Sequence, residues 1–330
     1  REEQAVAAAR ALAGAAVWRD DTHLPEQATL SDHMLHQPRQ SYLLVDGVPT
    51  AVPIPPAVAP ADAAQTLSAE YFRPYHAHAA LGPSAAAALL EDGQLTVWTN
   101  TQGVFPMRAA IAHVLGMPDE AVRLIHTEGP GSFGQNGSDD AALDAALLAR
   151  AAPGRPVLAQ WSRADENAWE PYGPATLIRM QASLDAAGRV VDWNHDVYGY
   201  THVLRSNPRA DTMVLVAAWH LERPFSPTPA RPLLGAQTGM HRNADPLYIF
   251  PRKRIVKHFL PDSPLRVSAQ RGLGSYASVF AVESFMDELA QAAGADPVAF
   301  RLEYLADERA RAVIAAAAEK AGWQPRARPS

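Results

Sequence analysis

Residues 94–151 read QLTVWTNTQGVFPMRAAIAHVLGMPDEAVRLIHTEGPGSFGQNGSDDAALDAALLARA. QLTVWTN (94–100) gathers β-branched and aromatic residues behind Asp92-Gly93, which is a strand signal. Phe105–Leu115 carries the spacing of a short helix, and AVRLIHTE (121–128) reads as another strand. A glycine-rich loop, GPGSFGQNGSDD (129–140), then leads into a helix through DDAALDAALLARA, with Ser138 or Asp139 as its expected N-cap.

Working outward, PVLAQWSR (156–163) reads as a strand, and ATLIRMQASLDAAGRVVDWNHDVYGY (175–200) as two long strands joined at Asp185–Gly188. Residues 201–250 are rich in Pro and Arg and lack periodicity, which fits a long irregular segment. VFAVESFMDELAQAAG (279–294) has apolar residues at helical spacing and stops at Gly294. Asp296-Pro297 opens a further helix to about Leu305, and DERARAVIAAAAEKAG (307–322) another. Upstream, a helix over about Glu2–Ala13 leads into a strand-like AAVWRD, and the Pro/Ala-rich residues 50–65 read as a linker. The mixed order predicts an α+β fold, mixed sheets with packed helices, over a doubly wound parallel sheet.

The chain has 330 residues, 48% of them hydrophobic, enough for a large core and for two units. A formal net charge of −6 argues against a nucleic-acid footprint. No apolar run approaches the roughly 20 residues of a membrane helix. With no cysteine, the chain has no disulfide, no thiol nucleophile and no cysteine-ligated cluster. Redox chemistry would need a cofactor held by other groups, and the compartment stays open between cytosol and periplasm. The start at Arg1 and the end at QPRARPS read as cuts inside a longer protein.

Several loops place unusual groups after strand-like segments. Gln102 can donate an amide hydrogen bond to an oxo or carbonyl oxygen, although a strand-end Gln is commonly an ordinary surface residue. Glycines 129, 131, 134 and 137 allow close backbone approach to a ligand and offer an N–H nest, or equally a structural turn. Asp139 and Asp140 would repel an anion at the helix start, so an anion would lie on the loop N–H groups near Phe133–Gln135. Arg271-Gly272-Leu273-Gly274 is a third such loop with one cation. His76 and His78 have the spacing of a strand chelate, but without a third ligand they read as structural. Arg242-Asn243 can grip a carboxylate, or belong to a surface basic cluster with Arg252, Lys253 and Arg254. PGSFG (130–134) is one residue away from a nucleophile elbow, which makes a serine hydrolase using Ser132 the competing reading. A non-catalytic cofactor-binding fragment is the third.

Together the TQ strand end (101–102), the GSFG loop (131–134) and the RGLG loop (271–274) resemble the molybdopterin-binding large subunit of the xanthine oxidase family. HAALGPSAAAA (78–88) and SPLRVSAQRGLGSYASVFAVESFMDELAQAAGADPVAFRLEYL (263–305) extend the resemblance over about 66–323. Within the family the form is nearest to the nicotinate dehydrogenase branch. Gly137 stands where purine-oxidising members carry a carboxylate, and the carbon-monoxide-oxidising branch needs a loop cysteine.

The resemblance implies a first molybdenum-cofactor-binding domain at 66–305. The end of a preceding domain would lie at 1–65 and the start of a second molybdopterin-binding domain at 306–330. It implies a molybdenum–molybdopterin cofactor, in the cytosine dinucleotide form, and hydroxylation of an N-heteroaromatic, nicotinate-like ring with oxygen from water. Electrons would leave through a small iron–sulfur subunit and onward to a cytochrome, a route to membrane association. Gln102 would hydrogen-bond the oxo group, with Gly131, Ser132, Phe133, Gly134, Arg271 and Gly272 beside the cofactor and no direct metal ligand from the chain. Arg242 and Leu273 would face the substrate. The family's general-base glutamate lies in a GxGE-like loop that has no counterpart here, so the fragment alone is expected to be inactive.

Overall fold

The computed structural model describes residues 1–19, 24–203, 206 and 211–325. Helices α1 (Glu2–Ala15) and α2 (Leu30–His36) precede a hairpin of β1 (Gln40–Val45) and β2 (Val48–Thr50). There follow β3 (Gln65–Arg73), β4 (Ala85–Glu91), β5 (Gln94–Thr99), α3 (Val104–Leu115), β6 (Val122–His126), α4 (Ser138–Ala151), β7 (Val157–Gln160) and α5 (Arg163–Trp169). The long strands β8 (Thr176–Leu184) and β9 (Val190–Gly199) come next, then the two-residue β10 (Thr212–Met213) and β11 (Ser226–Pro227). The chain continues with β12 (Lys253–Phe259), α6 (Ser275–Ala292), α7 (Pro297–Tyr304) and α8 (Glu308–Lys320).

Two sheets organise these elements. The four-stranded sheet has the order β6-β5-β4-β7. β4 and β5 form a tight hairpin because Asp92 and Gly93 both take positive φ, 49° and 76°. β5 and β6 are parallel, so α3 crosses between them and packs Met107 and Ile111 onto the sheet. α3 stops at Gly116, whose left-handed φ of 63° caps the helix at no steric cost. α4 covers the sheet with Ala142, Leu143, Ala145, Ala146 and Ala149.

The six-stranded sheet has the order β2-β1-β12-β9-β8-β3 and is antiparallel except where β12 meets β9. α6 lies across it, burying Phe285, Met286 and Leu289 against Trp193 and Phe250. The Trp193 and Phe250 rings stack with centroids 4.6 Å apart. α7 starts under Asp296, whose carboxylate accepts from the Val298 and Ala299 amides, as that position after a turn favours.

Some expectations change. Residues 16–19 form no strand, and 20–23 lie outside the described residues. Val17 is exposed, and Trp18 packs by its ring on Trp169 and His220, while no strand pairs with this segment among the described residues. α4 is capped by Gly137, because Ser138 turns its amide and hydroxyl onto Asn136 Oδ1. Residues 51–64 hold no helix or strand, yet Arg254 binds the Pro55 carbonyl at 2.6 Å and Arg252 binds Asp62 at 2.6 Å. This stretch connects β2 and β3 of one sheet.

Candidate functional site

Three loops converge between the sheets. The TQ strand end follows β5, and Thr101 anchors it by donating its hydroxyl to Asp139 Oδ1 on the first turn of α4, 2.6 Å away. That link aims the next residue, Gln102, at the GSFG loop, where its amide nitrogen donates to Ser132 Oγ at 2.6 Å. The GSFG loop pairs in turn with the segment before the RGLG loop. Arg271 N donates to the Phe133 carbonyl at 2.6 Å, and Gln135 N to the Ala269 carbonyl at 2.8 Å. Gln102, Phe133 and Arg271, far apart in sequence, are therefore brought together by hydrogen bonds between their loops.

The backbone at this meeting point is built for close approach. Gly134 has φ 131°, and a Cβ there would stand 1.9 Å from the Ala269 oxygen, so only glycine fits. Phe133 and Leu273 take left-handed φ of 47° and 54°, a strain that non-glycine residues hold only when the surroundings enforce it. Among the described residues, the amides of Ser132, Phe133, Gly134 and Gly272 have no hydrogen-bond acceptor. Gln135 N is engaged, so the open N–H groups run from Ser132 to Gly134, one position earlier than the sequence indicated. Such a nest suits an acceptor-rich group.

The acidic first turn of α4 does not oppose this. Asp140 receives both Arg266 guanidinium nitrogens, at 3.0 and 2.9 Å, and the Val216 amide at 2.9 Å. Asp139 is held by Thr101. The two acids thus brace the loops. Sequence reasoning missed Thr101, Asp139, Asp140 and Arg266 as positioning residues. The signal was present only as acids at a helix start, where repulsion was the natural inference.

His78 is also a brace. It is buried, and burial pushes its pKa down, so the neutral ring donates from Nε2 to the Ala269 carbonyl at 2.8 Å. His76 Nδ1 accepts from Arg73 Nε at 3.1 Å. Among the described residues no group of three or more His, Cys, Asp or Glu side chains could hold a metal.

Arg242 lies exposed on the turn after Gly239–His241. This turn adjoins the RGLG loop: Gly274 N donates to the Gly239 carbonyl at 3.0 Å, and Ser275 Oγ to Asn243 Oδ1 at 2.6 Å. Arg252, Lys253 and Arg254, offered by the alternative reading as a basic cluster with Arg242, pair with Asp62, Asp245 and Asp196. Leu273, half-buried, sits between the Arg242 turn and the Phe133 loop in this chain of contacts. The hydrolase reading fails on chemistry. Ser132 Oγ meets the Gln102 amide nitrogen, a donor that cannot accept a proton as a general base does.

Comparison with known proteins fits this geometry. The profile of the molybdopterin cofactor-binding domain matches residues 56–231. The chain is 36% identical to a nicotinate dehydrogenase subunit of Pseudomonas putida over 331 residues, covering 100% of this chain and 26% of that protein. It is 30% identical to the aldehyde oxidoreductase molybdenum-binding subunit PaoC of Escherichia coli, over 73% of this chain and 29% of the relative. The chain thus spans about a quarter of the length of the curated relatives it matches. In three dimensions it resembles quinoline 2-oxidoreductase from Pseudomonas putida 86, with a TM-score of 0.62 at 18% identity, over 79% of this chain and 33% of that one. That likeness confirms the α+β architecture. On the profile match and the alignment to a relative along its whole length, the chain belongs to the molybdopterin cofactor-binding domain family.

Proposed function

We propose that this chain forms one wall of the active site of a molybdenum hydroxylase acting on an N-heteroaromatic, nicotinate-like ring. The observation that carries the reading is the joining of three loops through Gln102–Ser132 and Phe133–Arg271, with the amides of Ser132, Phe133, Gly134 and Gly272 turned to no partner among the described residues. These groups fit the cofactor: its oxygens and pterin are rich in acceptors, and the nest supplies donors where no Cβ intrudes. When bound, the molybdenum centre supplies the two-electron oxidation and the activated oxygen drawn from water.

The residues of this chain do the holding. The Gln102 amide, held against Ser132 Oγ beside the Thr101–Asp139 bond, would act as a preorganised donor for developing negative charge. Ser132 to Gly134 and Gly272 cradle the cofactor through the backbone. Leu273 limits the pocket with an aliphatic side chain, and Arg242 can clamp a ring carboxylate in a bidentate pair. Relatives named for nicotinate and for isoquinoline support a heteroaromatic substrate. With no cysteine in the chain, electrons have no thiolate-held cluster here. From the resemblance to the family we assign their exit to a small iron–sulfur subunit and a cytochrome, and the pterin to its cytosine dinucleotide form. As the resemblance to the family implies, we place the deprotonating carboxylate in a second domain; Asp139 and Asp140 are engaged by Thr101 and Arg266.

Replacing Gln102 by Ala in the whole enzyme tests the assignment. Turnover of nicotinate with a dye acceptor is expected to fall on the order of 10²–10³-fold, as for loss of one preorganised donor, with molybdenum content and unfolding temperature unchanged. An undiminished rate at full molybdenum content refutes the role.

A further inference from the structure

Behind the RGLG loop, at one end of the six-stranded sheet, buried basic side chains keep polar atoms without hydrogen-bond partners. The strand register runs Arg73, Thr176, Gly199, Phe259 across β3, β8, β9 and β12. A Cβ on Gly199 would stand 3.4 Å from Met240 Cε and 3.7 Å from Thr176 Oγ1, so the 239–241 turn closes over this row. His241 comes from that turn, His202 from the segment after β9, and Lys257 from β12. None of Arg73, Thr176, His202, His241 and Lys257 is more than 6% exposed.

Their polar atoms are poorly matched. Arg73 Nη1, Thr176 Oγ1, both ring nitrogens of His202 and Nδ1 of His241 have no hydrogen-bond partner. Lys257 Nζ donates to the Leu233 carbonyl and lies 5.9 Å from the centre of the Tyr42 ring. Among the described residues no carboxylate pairs with any of them, and residues 204–210, next to His202, contain no Asp or Glu. The groups feel one another instead. Burial pushes the His202 pKa down to about 3, helped by Arg73, Lys257 and His241, and burial with Lys257 pushes His241 down to about 4. Burial alone pushes Lys257 down to about 8.

Ordered water can satisfy stranded donors, but it does not neutralise charge. A buried cation without a counter-charge is strongly disfavoured. One small anion answers both deficits, accepting from Arg73 Nη1, Thr176 Oγ1 and one ring nitrogen of His202 and offsetting the Arg73 and Lys257 charges. We propose that Arg73, Thr176, His202, His241 and Lys257 form a buried site for one small monovalent anion, the size of chloride or a carboxylate group. The site is separate from the exposed Arg242 and does not depend on the ring-hydroxylation reading. The carboxylate can be that of a free small acid or that of a bound aromatic acid, which present the same charge and acceptors.

The test uses the whole protein as it occurs, crystallised and soaked in sodium bromide. An anomalous bromide peak among Arg73, His202 and Lys257 is expected, and water density alone there overturns the proposal. In parallel, unfolding temperature is followed at constant ionic strength in bromide, formate, nicotinate or nicotinamide, balanced with gluconate, which is too bulky to enter. Bromide and formate are expected to raise it by about 2–4 °C as they saturate the site. A rise with nicotinate but not nicotinamide assigns the site to the aromatic acid as well. No rise with any of the three anions overturns the proposal. Lys257→Met keeps the side-chain length, and it is expected to lose the peak and the anion response while unfolding at a higher temperature in anion-free buffer. Retention of both peak and response in this variant also overturns it.

Discussion

The two sheets of this chain are stabilised by different means. The four-stranded sheet packs small side chains, with α4 contributing Ala142, Ala145, Ala146 and Ala149, and the acids at the start of α4 are matched: Asp139 with Thr101, Asp140 with Arg266. The six-stranded sheet packs large aromatics, Trp193, Phe250 and Phe285, and tolerates unmatched bases at its end. Small residues bring α4 close to the strands and fix the TQ and GSFG loops through helix and sheet. The aromatic core supplies enough burial to carry a cost elsewhere. The TQ and GSFG loops are set by matched polar contacts, whereas the RGLG loop lies beside buried bases with unpartnered polar atoms.

That contrast can be broken by mutation, starting with the largest effects. Trp193→Ala removes a fully buried ring stacked on Phe250 and is expected to cost about 3–5 kcal/mol. Urea unfolding measures it, and a loss under about 1 kcal/mol would mean that the aromatic core does not dominate. Arg266→Met strands the Asp140 carboxylate, 2% exposed, without its bidentate partner, at an expected cost of about 3–5 kcal/mol. Because Asp140 also receives the Val216 amide, hydrogen exchange of the 214–218 segment should accelerate together with the stability loss. Unchanged exchange would show that this matched pair is not what holds the loops.

The unmatched side predicts a pH dependence of the opposite sense to a salt bridge. Lys257 is lowered from 10.5 to about 8 by burial, so the folded state disfavours its charge. The penalty is fully present below pH 8 and disappears as pH rises to 10.5, where the unfolded lysine also loses its proton. In anion-free buffer Lys257→Met should exceed the parent in stability by about 3 kcal/mol below pH 8, and the gap should close towards pH 10.5. A constant gap would show that Lys257 is not the strained group. The smallest effect belongs to the exposed Arg242. Arg242→Lys loses the bidentate geometry, and KM for nicotinate is expected to rise about tenfold, or ~1.4 kcal/mol, with kcat steady. An unchanged KM removes Arg242 as the clamp.

Much of this was written in the sequence. Asp92-Gly93 marked the start of β5, Gly294 marked the end of α6, and the order of the TQ, GSFG and RGLG loops marked the family. These signals are local: a positive φ or a helix stop depends on a few adjacent residues. Strands β5, β6 and β7 were legible because each carries its own apolar or β-branched run. Strands β1, β2, β3, β4 and β12 were not recognised, because they become strands by pairing across the chain. β1 meets β12 with Gln40 opposite Phe259, and neither segment carries a decisive period.

The sequence by itself determined the cofactor family, the glycine positions and the absence of any thiolate chemistry. Only the tertiary structure decided that Asp139 and Asp140 brace the loops, that Gln102 meets Ser132, and that Arg73, His202, His241 and Lys257 gather without an acid. The reason is physical. A residue type fixes which bonds a side chain can make, but only packing fixes which partner, and how much water, is within reach.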